Sequence, residues 1–396
     1  MKQGIRENLR RHASALAAVI TVAVMTSPAA SQEIYKIGVS TALTGPAASN
    51  YAAAIEGLNL YITKLNKAGG INGRSIDLII QDDQGEPSKT AANTKKLLTQ
   101  DGVSLLINAS LSSTFAPMIA EARRAGVPLM FASSVCPKEV YPPAEKNLFC
   151  TTSYAAHYDS DASLDFIKEL SGANTKVGLA AAAIPVSREE IAYAQSVAAK
   201  KGLNVVDEEV SSPLTADYAP YATKLQQASS DWVYSWAPWV TQIRTFEALR
   251  RLGWSGSYIA WAHPPAEAEL TRLKDGKLYL IGTNALFADG LPIHSEIIAA
   301  AKEANSRYPG SEMAEGWIAG MVVEASLRSA GWPITTEKLL NAMSNLKVDT
   351  KGLRAGAIEW TKDNHFRTVQ SYRVYRWNPD KGAIEMAKDW TGYPVN

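Results

Sequence analysis

Two short runs of hydroxyl residues stand where this chain could do chemistry. Ser112-Ser113-Thr114 precedes an apolar helical pattern carrying Phe115 and Ile119, and Ser133-Ser134-Val135-Cys136 closes a neighbouring loop. A hydroxyl before a helix is first of all an N-cap. The same geometry also offers unpaired N–H groups and the positive end of a helix dipole to an anion such as a carboxylate. Ser112 and Ser113 form one arm of such a grip, and Ser134 with the Val135 N–H forms the other. Flat rings make up a second set: Tyr51, Tyr154, Trp236 and Trp239 in Ser-Trp-Ala-Pro-Trp, Trp261, and the imidazole of His263. Rings supply stacking surface and a large apolar area. With ten tryptophans in the chain, core packing competes with ligand contact for any one of them. Arg188, opening a helical pattern, is either a planar fork for a carboxylate or a solvated residue. Asn50 joins Tyr51 in the first loop, and His157 is a further hydrogen-bonding candidate. None of this is catalytic apparatus; it reads as a binding site.

The elements that position these residues alternate strand and helix. Strands are expected at residues 34–43, 76–81, 104–107 and 128–132, with a helix over 52–67 that ends at Ala68-Gly69-Gly70. The alternation resumes after a break near 151–154, through strands at 176–183, 203–210, 232–236, 258–262 and 278–283. Ligands of open parallel sheets bind outside the carboxyl ends of the strands, where all the residues above fall. Two tandem halves of this kind imply an α/β fold with two doubly wound parallel-sheet lobes. After residue 284 the chain is helical at 295–308, 314–330 and 336–345, and a hairpin with a strand over 370–377 follows. Lobe 1 is expected to hold residues 32–153 and 285–351, and lobe 2 residues 154–284 and 352–396. The lobes would be joined by three crossings near 153, 284 and 352. Parallel crossings of that kind form a hinge suited to closing on a ligand.

Residues 1–31 read as a signal peptide: basic Lys2, Arg6, Arg10 and Arg11, a short apolar run over 15–25, and Ala29-Ala30-Ser31 before Gln32. The run is shorter than the ~20 apolar residues of a membrane span, so export to the periplasm is expected. Removal of this segment takes the net charge from +1 to about −2. A near-neutral chain with no basic block argues against nucleic acid. Cys136 and Cys150 flank a loop with Pro137, Pro142 and Pro143. A disulfide closing that loop suits an oxidising compartment; two buried thiols are the alternative. No Cys-x-x-Cys occurs, so neither a metal site nor a cofactor is expected.

The run Ile37-Gly38-Val39-Ser40…Leu43-Thr44-Gly45-Pro46, then Asn66-Lys67-Ala68-Gly69-Gly70-Ile71-Asn72-Gly73-Arg74, Asp82-Asp83…Pro87 and Ala125-Gly126-Val127-Pro128-Leu129 resembles type I periplasmic solute-binding proteins. The branch it is most similar to is the leucine/isoleucine/valine-binding group of ABC importers. The resemblance implies a two-lobed clamshell without catalytic activity, delivering a small molecule to a membrane permease and acting as a monomer. It also implies that loops matching Leu111–Thr114 and Ser134–Cys136 hold a ligand carboxylate, while an acid of the second lobe holds the ammonium.

That acid should follow the strand ending near Ala262, yet Trp261-Ala262-His263-Pro264-Pro265 contains no carboxylate before Glu267. An unpartnered buried ammonium costs several kcal/mol. Val186 and Pro238 likewise stand where the resemblance implies tyrosines. The leading expectation is therefore an aromatic carboxylate of benzoate or cinnamate type. A branched-chain amino acid, amide or urea ligand on the same fold is the alternative, and a sensory partner in place of a permease another. A secreted α/β hydrolase would need a Gly-x-Ser-x-Gly elbow with later Asp and His. No such pentapeptide occurs, and His294 and His365 are expected in surface turns.

Overall fold

The computed structural model describes residues 33–155, 157–212 and 215–396; the expected signal peptide lies outside them. The first sheet is parallel throughout: β1 (Tyr35–Thr41), β2 (Ile76–Asp82), β3 (Leu105–Ala109), β4 (Leu129–Phe131) and β5 (Leu148–Cys150), in the order β2-β1-β3-β4-β5. Its strands are apolar runs because helices cover both faces; Leu105, Leu106 and Ile107 are wholly buried. Strand order reverses between β1 and β3, so the crevice of this sheet opens where Asn50, Ser112 and Ser134 lie.

The second sheet repeats the plan with β6 (Lys176–Ala182), β7 (Asn204–Ser211), β8 (Trp232–Trp236), β9 (Ser257–Trp261) and β10 (Leu278–Gly282). A small hairpin of β11 (Lys347–Val348) and β12 (Ile358–Glu359) belongs to neither sheet. The antiparallel pair β13 (Val369–Asn378) and β14 (Ala383–Pro394) completes the second sheet in the order β14-β13-β10-β9-β8-β6-β7. Two parallel-sheet lobes thus stand in tandem. No helix among the described residues is long and apolar enough to cross a membrane.

Several elements begin earlier than their patterns suggest. Helix α1 (Ala48–Lys67) starts four residues ahead of expectation. Asn50 and Tyr51 therefore occupy its first turn rather than a loop, because Ala47 and Tyr51 are buried against Ala42 and Leu111. Helices α2 (Pro87–Lys96), α3 (Phe115–Ala125) and α4 (Tyr158–Ser171) follow. Next come α5 (Pro185–Ala198), with proline in its first turn, α6 (Ala219–Gln227), α7 (Trp239–Arg251) and α8 (Ala266–Leu273). The helices α9 (Pro292–Glu303), α10 (Ala314–Ala330) and α11 (Thr336–Met343) return to the first core, where Trp317, Val322 and Leu339 meet Ile37 and Leu105. A Cβ on Gly316 would stand 1.5 Å from the Ala54 carbonyl oxygen, so only glycine lets α10 lie this close to α1.

The third crossing falls later than residue 352. Leu353, Ile358 and Trp360 belong to the first core, and the Trp360 indole donates to the Cys150 carbonyl at 3.3 Å. The chain reaches the second sheet only after Arg367. His294 and His365 are not in surface turns either. Both are buried, stacked on Phe287 and Phe149 at 4.1 Å, because each ring fills a gap beside an aromatic neighbour. Cys136 and Cys150 form a disulfide.

Buried polar groups tie the crossings together. Arg354 donates to Asn284 at 2.8 Å, to Glu315 at 2.7 Å and to the Thr151 carbonyl. Asn284 donates in turn to Glu315 at 2.5 Å. Arg367 donates to Gln370 at 2.7 Å and to the Thr152 carbonyl, and Gln370 donates to the Ser153 carbonyl at 2.7 Å. Each of the three connecting segments is thus held to another by a side chain.

Candidate functional site

A small cavity lies where the carboxyl ends of the two sheets face each other. Its first wall comes from the lobe built on β1–β5. After β3 the chain turns through Leu111 into a single tight turn, Ser112–Thr114, that leads into α3. Thr114 is turned inward: its hydroxyl donates to the Leu111 carbonyl at 2.7 Å and accepts from Asn108 at 3.1 Å. Ser113 points outward and does not line the cavity. Ser112 does line it, and its buried hydroxyl has no partner among the described residues. The N–H groups opening such a turn also lack intrahelical acceptors by position.

The second arm behaves differently from its sequence reading. Ser133, with φ of 57°, turns the chain so that Ser134 and Val135 face the cavity. The Ser134 hydroxyl, however, donates to the Ser110 carbonyl at 2.6 Å, so it ties two loops together and has no proton left for a ligand. Ser110 donates to the buried Asp83 at 2.6 Å, as Ser40 does at 2.8 Å. Tyr51 lies beside Ser134. Burial, reinforced by the charge of Asp83, pushes its phenol well above the usual range, so it stays protonated.

Aromatic groups form the opposite wall. The Trp236 indole is anchored from behind, its N–H donating to Asp159 at 2.9 Å while Tyr372 donates to the other carboxylate oxygen at 2.6 Å. Burial, and then the neighbouring charge of Glu190, raises Asp159 well above the usual carboxylate range; burial also pushes Glu190 up to about 7. Trp261 stands 4.8 Å from Tyr154, centroid to centroid. Its backbone is clamped by Gln242, which accepts its N–H at 2.9 Å, and its buried indole N–H is turned toward the Tyr154 oxygen. Tyr154 and His263 share a 2.5 Å hydrogen bond through Nδ1, and His263 Nε2 lies 3.1 Å from the Ala237 carbonyl. Burial pulls the imidazole down to about 3, so it is neutral.

Asn50, Tyr51, Ser112, Ser134, Val135, Tyr154, Trp236 and His263 therefore come together around one cavity. Three other candidates do not reach it. Arg188 is exposed on the first turn of α5, because Pro185 rather than Arg188 opens that helix. Ser113 faces away. Trp239 sits one layer behind: its backbone N–H donates to Asn50 across the lobes at 3.3 Å, and its ring lies 5.7 Å from His263. Ile184, Ala237 and Ser133 are lining residues that sequence reasoning missed. The Ile184-Pro185 pair carried the usable signal, since proline favours the first helical position.

Among the described residues, no Asp, Glu, Lys or Arg lines this cavity. Glu267, the nearest acid in sequence, accepts the Phe287 N–H at 2.7 Å instead. A wider cleft of about 420 Å³ adjoins, sharing Ser112, Val135, Val186 and Trp236, and there Lys138, His157 and Glu189 are found.

Residues 34–383 match the family model described as periplasmic binding protein. The leucine-, isoleucine-, valine-, threonine- and alanine-binding protein of Pseudomonas aeruginosa is 22% identical over 381 residues, covering 94% of this chain and 98% of that protein. The structure is similar to a branched-chain amino acid ABC transporter protein from Thermus thermophilus with bound valine (TM-score 0.80, 16% identity, 91% and 97% of the two chains). It is also similar to a solute-binding protein of an ABC transporter from Rhodopseudomonas palustris in complex with 3,4-dihydroxybenzoic acid (TM-score 0.77, 18% identity, 91% and 98%). At these identities the structural likeness shows the fold. With the family model spanning both sheets and the cavity between them, the chain belongs to the periplasmic binding protein family.

Proposed function

We propose that this chain is the periplasmic substrate-binding component of an ABC importer, and that its two lobes close about the three crossings around a small aromatic carboxylate, benzoate- or cinnamate-like. One observation carries the reading: the cavity is walled by rings and uncharged. An α-amino acid would bring an ammonium to a wall with no acid, at a cost of several kcal/mol. A carboxylate instead meets the free Ser112 hydroxyl and the N–H groups that open the Ser112–Thr114 turn ahead of α3. The body of such a ligand lies against Trp236, Trp261 and Tyr154. Handing the ligand on to a membrane permease follows from the family.

The P. aeruginosa relative favours a second reading, a branched-chain amino acid. A thermal-shift panel on the mature protein separates the two. Ligand at 100 times its Kd adds about 2.7 kcal/mol of stability, so benzoate-type acids should raise Tm and leucine and valine should not. Stabilisation by leucine but by no aromatic acid would overturn the proposal.

A further inference from the structure

We infer that Asp159, which lines neither the cavity nor the adjoining cleft, is the positioning residue of this site: through the indole N–H of Trp236 it fixes the plane of the ring that both spaces share. The inference rests on the reading of that ring wall as the surface the ligand meets.

Trp236 ends β8, and with Ser112, Val135 and Val186 it borders both the cavity and the cleft. The angle of its ring therefore shapes each of them. The torsion that turns an indole about its last side-chain bond is broad and roughly two-fold, so the ring has two wells to choose between. A hydrogen bond in the ring plane makes that choice. The Trp236 N–H meets Asp159 Oδ2 at 2.9 Å. An indole N–H only donates, so that oxygen accepts in either protonation state of the carboxyl.

A contact side chain is only as precise as the groups that lock its rotamer, and Asp159 is itself locked. It is wholly buried in the first turn of α4. Its other oxygen accepts the Tyr372 O–H from β13 at 2.6 Å, and the Ala155 N–H lies 3.2 and 3.3 Å from the two oxygens. Donors from β8, from β13 and from the chain entering α4 thus converge on one side chain. With its N–H turned back into the lobe, Trp236 offers the ligand carbon alone, a surface for a flat apolar body. The ring stands edge-on to Tyr154, with centroids 6.2 Å apart and planes at 80°, so turning the indole changes the corner between them.

The test combines calorimetry with benzoate and indole N–H spectra of the isotope-labelled mature protein. Asp159→Leu, similar in size but without an acceptor, should weaken benzoate binding roughly tenfold, the upper end of what one aromatic contact contributes. Asp159→Asn keeps a carbonyl oxygen for the indole and should bring affinity back to within about threefold of the parent. In a Trp236→Phe background no N–H is left to hold, and there Asp159→Leu should cost less than about twofold. A loss as large in that background as in the parent means that Asp159 acts through the fold at large, and overturns the inference. Should Asp159→Leu not fold, the ligand-free spectra decide. The Trp236 N–H signal, assigned by its absence from Trp236→Phe, should move further than the other indole signals in Asp159→Asn; a signal that stays in place overturns the inference. If benzoate fails to bind and leucine binds instead, the aromatic-acid reading falls alone, and the leucine affinities of the same variants decide the inference.

Discussion

The crossings between the two sheets and the cavity beside them handle charge in opposite ways. At the crossings, Arg354 and Glu315 form an ion pair whose side chains are only 4% and 6% exposed, with Asn284 bonded to both. The cavity, by contrast, is uncharged, and its polar side chains are hydroxyls, the Asn50 amide, two indoles and a neutral imidazole. The difference shows which contacts have to last. At the crossings Arg354, Glu315 and Asn284 satisfy one another within the protein. At the cavity the buried Ser112 hydroxyl is left unmatched, and a lone charge left in that state would be far costlier than a lone hydroxyl.

The comparison breaks most sharply at Glu315. Glu315→Ala strands the Arg354 guanidinium in a buried site, and removal of one partner of such a pair costs about 3–5 kcal/mol. Urea unfolding should register a loss of that size. Ser112→Ala, on the other side of the comparison, should leave the unfolding midpoint nearly unchanged and weaken aromatic-acid binding instead, by about tenfold for one lost donor. If Glu315→Ala unfolds within 1 kcal/mol of the parent, on the order of an ordinary surface change, the hinge does not depend on its charges as argued.

A smaller effect comes from pH. His263 has its folded value pulled by burial to about 3 from an ordinary 6.5. Below pH 6.5 the unfolded chain takes up a proton that the folded chain refuses, so this group lowers stability as pH falls toward 3. Glu190, raised by burial to about 7, works the other way: the folded state takes its proton first, and stability is lost as pH rises from about 4.5 through 7. Comparing unfolding free energies at pH 7 and pH 4.5, His263→Phe should gain more on acidification than the parent, and Glu190→Gln less. Each difference should be on the order of 1–2 kcal/mol. Identical pH profiles for all three proteins would remove His263 as a group held neutral.

Much of this site was legible in the sequence because strand ends are. An apolar run closed by small polar residues marks where a parallel strand delivers its loop, and eight of the eleven expected ligand-binding positions reach the cavity. What could not be read was the direction of individual side chains. Ser112 and Ser113 are adjacent and alike, and only the tight turn into α3 sends one inward and the other out. Ser134 looked like a ligand donor; its proton goes to the Ser110 carbonyl, a contact between loops 24 residues apart that no local pattern reveals. The misplaced third crossing has a similar cause. Residues 352–366 have no long helix or strand, and their attachment to the first core depends on Trp360, Leu353 and Phe366 finding distant partners. The buried His294 and His365 were misread on the habit that turns are wet.

The weakest effect expected is the most useful control on the comparison. Arg188 carries a formal charge, opens toward the cleft in sequence, and lies two residues from Val186, which does line the cavity. Arg188 is a cation that could serve a charge-dependent grip from this side of the cavity, as Lys138 is from the adjoining cleft. Yet the Arg188 side chain is exposed to solvent, and water and salt screen a solvated guanidinium, so it contributes little to a buried ligand. Arg188→Ala should therefore change both stability and aromatic-acid affinity by no more than about 0.5 kcal/mol, the usual range for surface positions. The salt dependence of binding should stay as shallow in the variant as in the parent. A tenfold loss of affinity, or a salt dependence that the substitution abolishes, would mean the carboxylate is gripped by a cation after all. The neutral wall would then be only part of the site.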